Sequence, residues 1–183
     1  MNIYYEAKRI YNNRTGLGNY SRWLVSNYKN CYPEDELILL RPNGKEKKSE
    51  IHFLDADYQV QSYSNFLGYQ RSFNLYKLVS EHSVFHGLSN ELPILNTSKS
   101  IRKIVSIHDV IFKIRPDDYA LVDRIIYDFK IKKAVKNAHH IVAISQKTKQ
   151  DLMVYYGCDP DHISVIYQNC DLLFYERCPI EFR

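Results

Sequence analysis

The sequence predicts an α/β protein built on a parallel sheet of about seven strands flanked by helices. Short apolar runs rich in β-branched and aromatic residues alternate with segments of helical periodicity along the 183 residues. This length suits a single domain with one sizeable core. A hydrophobic content of 45% and a charged content of 25% are ordinary for a globular chain.

The strand candidates are short, and their composition favours strands over buried helix. Ile51–Leu54 competes with Tyr58–Gln61 for the third position, and the sequence leaves both open. The seven candidates are Asn2–Glu6, Glu36–Arg41, Tyr58–Gln61, Ser83–His86, Lys103–His108, His140–Ile144 and His162–Ile166.

Two helices are expected before the fourth strand. The first carries apolar and aromatic residues at helical spacing from Tyr20 to Cys31, and Pro33 ends the pattern. The second is expected from Asn65 to about Glu81, with its aromatic residues on one face.

The segment Asp118–Ala138 has two apolar stripes that lie on roughly opposite faces of a helix. Either the helix breaks near Phe129–Lys130, or it is continuous and another element covers the first half of the helix on the side opposite to the core. Further on, Ser145 is expected to cap a helix that Gly157 stops.

A glycine pair lies between the first strand and the first helix, at Gly16 and Gly18. Glycines allow a ligand to approach the backbone, and a helix N-terminus offers free N–H groups, so the pair suits a diphosphate. A tight turn is the structural alternative. An NAD-type site is disfavoured because Ser21 occupies the third glycine position and Arg41 ends the second strand where an acid is expected.

Charge and apolar patterning exclude several classes of protein. The net charge of +4 is mildly basic, but no block of basic residues is long enough for a nucleic-acid arm. The longest apolar stretch, Ile104–Phe112, contains His108 and Asp109, so no transmembrane segment is expected. Lys132, Lys133 and Lys136 form either a solvated helix face or a contact for anionic lipid.

Five segments, in order, resemble the N-terminal domain of glycosyltransferase family 4 (glycosyl transferases group 1). Thr15–Tyr20 with Leu24 resembles the family's glycine-rich opening, and Phe85–Gly87 its "FH-small" strand end. The remaining segments are Ser106–Ile111 for its "HD" motif, Asn137–Ser145 for its sixth strand, and Asp151–Asp171 for its final "DL…YG…NGVD" stretch, in which Cys170 replaces a frequent glycine.

The resemblance implies a Rossmann-like domain that forms the N-terminal half of a GT-B fold. Residues 1–171 are expected to form this acceptor-side domain, and residues 172–183 to begin a linker. The nucleotide-sugar domain that carries the family's two-glutamate signature is expected to be absent from the 183 residues. The chain alone is then expected to be inactive.

The resemblance also implies roles for individual residues. The amides of Gly16, Leu17 and Gly18 would meet the donor diphosphate as the cleft closes. His108 would face the donor sugar as a catalytic residue, with a backbone-bonded structural histidine as the alternative. Asp109 is a second catalytic candidate that would orient His108, contact the acceptor or cap the following loop.

Three further residues are candidates for the acceptor side. His86 ends the fourth strand, and Gly87 is expected to leave room beside it. Ser145 points toward the cleft, although capping its helix is a sufficient role.

The implied reaction moves a sugar from a nucleoside diphosphate to an acceptor hydroxyl in polysaccharide, lipopolysaccharide or capsule biosynthesis. Retention of configuration, no cofactor and no metal ion are expected, with a sugar or lipid-linked acceptor and no nucleic-acid partner. The expected location is the cytoplasm, including the inner face of the membrane. A nucleotide-sugar epimerase of the same architecture and a non-enzymatic sugar-binding module remain alternatives.

Overall fold

The computed structural model describes residues 1–43, 58–64, 70–95, 97 and 99–169. Its centre is a sheet of seven strands, and every neighbouring pair is parallel. The α/β class and the parallel seven-stranded sheet are therefore confirmed. The strands are β1 Asn2–Glu6, β2 Glu36–Pro42, β3 Gln59–Tyr63, β4 Ser83–Gly87, β5 Ile101–Ile107, β6 His140–Ala143 and β7 Ile163–Val165.

The helices lie between the strands as the alternating pattern predicts. Single turns of 3-10 helix at Pro116–Asp118 and Pro160–His162 precede α4 and β7. The α-helices are α1 Lys8–Asn12, α2 Gly16–Cys31, α3 Ile111–Ile114, α4 Leu121–Asn137 and α5 Gln146–Tyr156.

The strand order is β3-β2-β1-β4-β5-β6-β7, so the winding of the chain reverses between β1 and β4. Open α/β sheets bind ligands beyond the carboxyl ends of their strands at such a switch point. In the β1–β4 register, Tyr5 is opposite His86, which is the last residue but one of β4. This edge of the sheet is where a site is expected.

The sheet is buried on both faces by two hydrophobic clusters. On one face Val25 of α2 packs with Ile3, Tyr5 and neighbouring residues of β1 and β2. On the other face Ile131 of α4 and Leu152 of α5 join the larger cluster. Burial on both faces explains why the strand sequences are nearly continuous in apolar residues.

The strand ends differ from the sequence prediction by only a few residues. β3 is Gln59–Tyr63, which supports the Tyr58–Gln61 candidate, whereas Ile51–Leu54 lies outside the described residues. β5 begins at Ile101 rather than Lys103, and it ends one residue before His108. His108 is consequently the first residue beyond the strand.

The predicted helix from Asn65 to Glu81 is wrong over its described part. Gln70–Asn74 forms a π-helical turn, and Leu75–Leu78 forms a 3-10 turn that ends well before Glu81. Lys99 provides the physical reason, because its Nζ donates to three backbone carbonyls at the end of this segment and thereby replaces helical donors. The stretch 65–69 lies outside the described residues.

α4 is a single continuous helix of 17 residues, so the first of the two alternatives, a break near Phe129–Lys130, is wrong. Its second half is buried through Ile131 and Ala134. Its first half leaves the outer apolar stripe exposed among the described residues. Among the residues that the structure describes, no helix has both the length and the apolar composition needed to cross a membrane.

The two ends of α5 are those that the sequence predicts. Ser145 Oγ accepts a hydrogen bond of 3.0 Å from the backbone N–H of Thr148, and Gly157 has the left-handed conformation at φ 64°. The cap satisfies one N–H that has no intrahelical acceptor.

We expect Ser145→Ala to lower the free energy of unfolding by about 1 kcal/mol, because the N–H of Thr148 loses its acceptor. Ser145→Asp keeps an acceptor oxygen at the same position and should stay near the wild-type value. Urea unfolding of the three proteins measures both effects. Equal losses in the two variants would contradict the capping role.

Candidate functional site

The candidate site lies where β1, β4 and β5 end, beside the N-terminal part of α2. Tyr20 of α2 meets the ring of His108 edge-on, with 4.7 Å between the ring centroids. The Tyr20 hydroxyl is also 2.7 Å from Ser106 Oγ on β5, and Ser106 Oγ is 2.9 Å from His86 Nε2 on β4. The sheet and α2 thus bring both predicted histidines together around two residues that were not predicted.

His108 is buried, and both of its ring nitrogens have partners. Its Nε2 donates to the carbonyl oxygen of Leu88 at 3.0 Å, since a carbonyl can only accept. Its Nδ1 is 3.1 Å from the side-chain nitrogen of Gln168, which donates when the imidazole is neutral. Burial lowers the pKa of His108, and this favours the same neutral form.

The position of His108 is set by the loops around it. Its backbone N–H donates to Asn90 Oδ1 at 2.7 Å, and its carbonyl accepts from Thr148 Oγ1 at 2.9 Å. Asn90 itself has a left-handed backbone at φ 60°, and its N–H donates to the carbonyl of Ser106 at 3.0 Å. Asparagine tolerates this conformation better than most side chains.

Asp109 points away from the buried cluster and is exposed. Its Oδ1 accepts from the backbone N–H of Ile111 at 3.3 Å, which is the loop-capping arrangement among the three alternatives. The described residues therefore do not show Asp109 orienting His108.

His86 is fully enclosed at the end of β4, with its ring tilted against Tyr5 at a centroid distance of 5.7 Å. Burial lowers the pKa of His86 from 6.5 to about 3, so the ring is neutral at physiological pH. Burial also raises the pKa of Tyr20 to about 12. The chain His86–Ser106–Tyr20 is thus a sequence of neutral groups.

The room expected beside Gly87 is taken up by the chain itself. A Cβ atom at this position would lie 2.3 Å from the carbonyl oxygen of Glu91. The loop after β4 turns back tightly onto the strand end, and only glycine leaves space for that carbonyl. The glycine therefore serves the loop, and its acceptor role stays a prediction.

Gly18 has a similar structural reason. A Cβ atom there would lie 1.9 Å from the carbonyl oxygen of Asn13, and the N–H of Gly18 donates to Asn13 Oδ1 at 3.1 Å. Asn13 Oδ1 also accepts from the N–H of Thr15 at 2.8 Å, so this side chain caps the start of α2. Asn13 therefore fills the space beside Gly18 and accepts the hydrogen bond of its N–H group.

Gly16 and Leu17 differ from Gly18. They are the first two residues of α2, and their N–H groups come before any intrahelical acceptor. Gly16 is exposed, and apart from its chain neighbours and the backbone of its own helix, no atom of the described residues lies within 4 Å of a Cβ placed on it. These two amides are the part of the predicted loop that remains open to a ligand.

A basic side chain lies near the same end of the sheet. Arg9 of α1 is half-buried, and its positive charge contributes to lowering the pKa of His108. Its Nε is buried without a hydrogen-bond acceptor among the described residues. α1 was not predicted from the sequence, because five residues are too few for a recognisable periodicity.

Ser145 is half-buried and serves as the cap of α5 described above. Its hydroxyl is also 2.9 Å from Thr148 Oγ1, which in turn bonds the carbonyl of His108. Ser145 is thus linked to His108 through one side chain, whereas its contact with an acceptor stays a prediction.

Sequence reasoning missed several residues that shape the site. Asn90 belongs to no predicted motif. Ser106 and Tyr20 belong to the family-like segments Ser106–Ile111 and Thr15–Tyr20, but neither was predicted as a site residue. Glu6 is buried at the end of β1, where its Oε1 accepts from the N–H of Lys8 at 3.0 Å. An acidic residue that ends an apolar strand was the available signal for Glu6.

The described residues contain no group of three or more His, Cys, Asp or Glu side chains placed to hold a metal ion. The expectation of a metal-independent reaction stays a prediction.

We expect Gly18→Ala to destabilise the fold by roughly 1–3 kcal/mol, because the new methyl group overlaps the carbonyl of Asn13. Gly16→Ala, two residues earlier in the same helical turn, should leave the free energy of unfolding unchanged or slightly higher. Chemical denaturation of both variants gives the comparison. A stable Gly18→Ala protein would show that α2 does not start against Asn13 as described.

The buried neutral His86 predicts a pH dependence of stability. Its folded pKa of about 3 lies below the ordinary 6.5, so below pH 6.5 the unfolded chain binds a proton that the folded chain does not. The free energy of unfolding should therefore decrease as the pH is lowered below 6.5, by up to about 1.4 kcal/mol per pH unit for this group. His86→Gln, which keeps a donor for Ser106, should show a shallower slope.

Urea unfolding at several pH values between 6.5 and about 5 gives the pH dependence of stability for the wild-type protein and for His86→Gln. Both proteins have the same carboxylates, so the difference between the two slopes reports on His86. NMR of the His86 ring provides a direct check, since its shifts should not titrate in this range. Identical slopes would mean that His86 is not held neutral by the fold.

Comparison with known proteins matches the sequence to one family. No curated protein shows a significant match to the chain. The family model described as Glycosyltransferase Family 4 matches residues 39–172, which is more than half of the chain. The match includes His86, His108 and Ser145, whereas Gly16 and Gly18 lie before it. Together with the parallel Rossmann-like sheet, this match shows that the chain belongs to glycosyltransferase family 4.

Proposed function

We propose that the chain is the acceptor-side domain of an enzyme that transfers a sugar from a nucleoside diphosphate to an acceptor hydroxyl. The family match over residues 39–172 is the observation that carries this proposal. The site supports it, because open helix amides and a neutral buried histidine lie at the carboxyl edge of the sheet. Polysaccharide, lipopolysaccharide or capsule biosynthesis is the proposed setting, as the family resemblance implies.

The donor diphosphate would bind at the start of α2. The amides of Gly16 and Leu17 point from a helix N-terminus, where partial positive charge favours an anion. Tyr20 is four residues after Gly16, or roughly 6 Å along the helix axis, and it touches His108. Arg9 adds a full positive charge near His108. Charge that develops on the departing phosphate would be stabilised by these groups.

His108 would act through Nδ1. Its Nε2 is committed to the carbonyl of Leu88, so Nδ1 is left as an acceptor. Gln168, which is exposed, bonds this nitrogen in the free chain. A sugar hydroxyl that displaces Gln168 would donate to the same atom. The histidine would thereby position the transferred sugar without changing its own charge.

His86, Gly87 and Ser145 were predicted to bind the acceptor. The contacts of the described residues support an indirect part for His86, which holds Tyr20 through Ser106. Gly87 and Ser145 support the loop after β4 and the start of α5. We propose that they shape the acceptor side of the cleft rather than touch the acceptor.

The nucleotide would be held by a second domain across the cleft, and the 183 residues alone are proposed not to turn over. Retention of configuration, a hexose as the transferred sugar and independence from metal ions are proposed from the family resemblance. The epimerase and the sugar-binding module remain the competing functions.

NMR titration of the isotope-labelled chain with UDP, GDP and inorganic diphosphate tests the donor side. We expect weak binding that shifts the amides of Gly16 and Leu17, because these N–H groups are the open anion donors. Gly16→Glu should abolish the shifts by placing a negative charge there. The matched control is Asn30→Glu, an exposed position near the other end of α2 with the same charge change.

Shifts that survive Gly16→Glu, or that map to another surface, would contradict the proposed diphosphate position. A parallel titration with oligosaccharides separates the competing functions. Tight glycan binding in the absence of any nucleotide would favour the sugar-binding module.

A further inference from the structure

The first half of α4 presents large apolar side chains to solvent. Leu121 is 66% exposed, Val122 65% and Ile125 60%, and Ile126 and Phe129 are also exposed. A helix on the surface of a globular protein normally turns polar residues outward. A continuous apolar face of this kind indicates an interaction surface rather than scattered surface residues.

The same outward face becomes basic in the second half of the helix. At about 100° per residue, Leu121, Ile125 and Phe129 lie on one stripe, and Lys132 and Lys136 continue it. Lys133 continues the neighbouring stripe, and its Nζ lies 5.8 Å from the Phe129 ring centroid. The face is therefore apolar at its N-terminal end and carries three lysines at its C-terminal end.

The acidic residues of α4 do not neutralise this face. Asp123 lies on roughly the opposite side of the helix by the same periodicity. Asp128 lies at the border of the face, where it bonds Lys113 at 2.7 Å and the Tyr156 hydroxyl at 2.9 Å. Its carboxylate also interacts with Lys132, whose charge helps to lower the pKa of Asp128. One bordering carboxylate shared with Lys113 leaves the three lysines with a net positive charge.

The neighbouring segment adds to the apolar surface. α3 is tied to α4 by the Lys113–Asp128 pair, and its Ile111 and Ile114 are exposed at 42% and 43%. On the turn that follows, Asp118 pairs with Arg115 at 3.0 Å, whereas Asp117 is exposed.

We propose that this face of α4 docks the chain on an anionic phospholipid bilayer. The apolar residues between Leu121 and Phe129 enter the headgroup boundary, and Lys132, Lys133 and Lys136 meet the lipid phosphates. Amphipathic helices that lie in the membrane plane combine these two features. A second copy of the chain fits less well, because this face offers it no acidic side chains to pair with the lysines.

α3 connects the docking face to the loop that holds His108. Its exposed Ile111 follows Asp109 by two residues. The opposite side of α4 is fixed to the loop after β4, because Lys130 bonds Glu91 at 2.9 Å. An acceptor anchored in lipid would approach the candidate site along α3. The docking itself does not depend on the proposed function.

Sedimentation of the whole chain with vesicles tests the proposal. One set of vesicles is phosphatidylcholine alone, and in the other a third of the lipid is phosphatidylglycerol. We expect binding to the anionic vesicles that weakens as salt is added, because salt screens the lysine contribution. The apolar contribution should leave weak residual binding at high salt.

Matched substitutions separate this face from the rest of the surface. Val122→Ser should weaken binding roughly tenfold because it removes an inserted apolar side chain. Val154→Ser, at a valine on α5 that is 75% exposed and so even more accessible than Val122, should have no effect. Lys136→Gln should weaken binding to anionic vesicles about fivefold. Lys77→Gln, at an exposed lysine on the Leu75–Leu78 turn, should not.

Circular dichroism confirms that each variant is folded, and analytical ultracentrifugation reports self-association. Failure to bind anionic vesicles, or equal losses for Val122→Ser and Val154→Ser, would overturn the proposal. A dimer that Val122→Ser dissociates, without vesicle binding by either protein, would instead identify the face as a contact between copies.

Discussion

Three hydrogen bonds made by Asn90 and Thr148 hold the chain at the end of strand β5, and the geometry of the candidate site depends on them. The side chain of Asn90 accepts a hydrogen bond from the backbone N–H of His108, and the backbone N–H of Asn90 donates to the carbonyl of Ser106. The hydroxyl of Thr148 donates to the carbonyl of His108. These contacts join the loop after β4, the end of β5 and the first turn of α5. Because the backbone is fixed on both sides, the ring of His108 has one orientation, and Leu88 then determines which nitrogen is free.

The fold was predictable where burial controls the sequence. Strands enclosed on both faces are continuous apolar runs, and α5 carries local signals at Ser145 and Gly157. The segment before β4 was not predictable, because the donors that end it belong to Lys99, which is distant in sequence. The outer face of α4 was not predictable for another reason. Its apolar stripe between Leu121 and Phe129 resembles a core face, and periodicity alone does not distinguish a buried apolar face from an exposed one.

The places of the candidate residues in the fold were predictable, but their contacts were not. The sequence predicted His86 and His108 at the carboxyl ends of the fourth and fifth strands, and the structure has them there, because strand ends can be recognised in the sequence. The pattern could not distinguish Gly16 from Gly18, because both are glycines on the same turn. Only the packing shows that Asn13 occupies the space beside one of them. Ser106, whose hydroxyl joins His86 to Tyr20, lies inside a mainly apolar strand, and nothing in the sequence indicates this contact.

The chain of neutral groups from Tyr20 to His86 has a consequence for proton movement. Its inner end is a ring whose pKa is about 3, and its outer end is a phenol whose pKa is about 12. Neither end accepts or releases a proton near neutrality. The three groups can reverse the direction of their shared hydrogens together, but they cannot conduct a charge into the sheet. These three groups therefore do not carry charge between the edge of the sheet and the enclosed end of β4 near neutral pH.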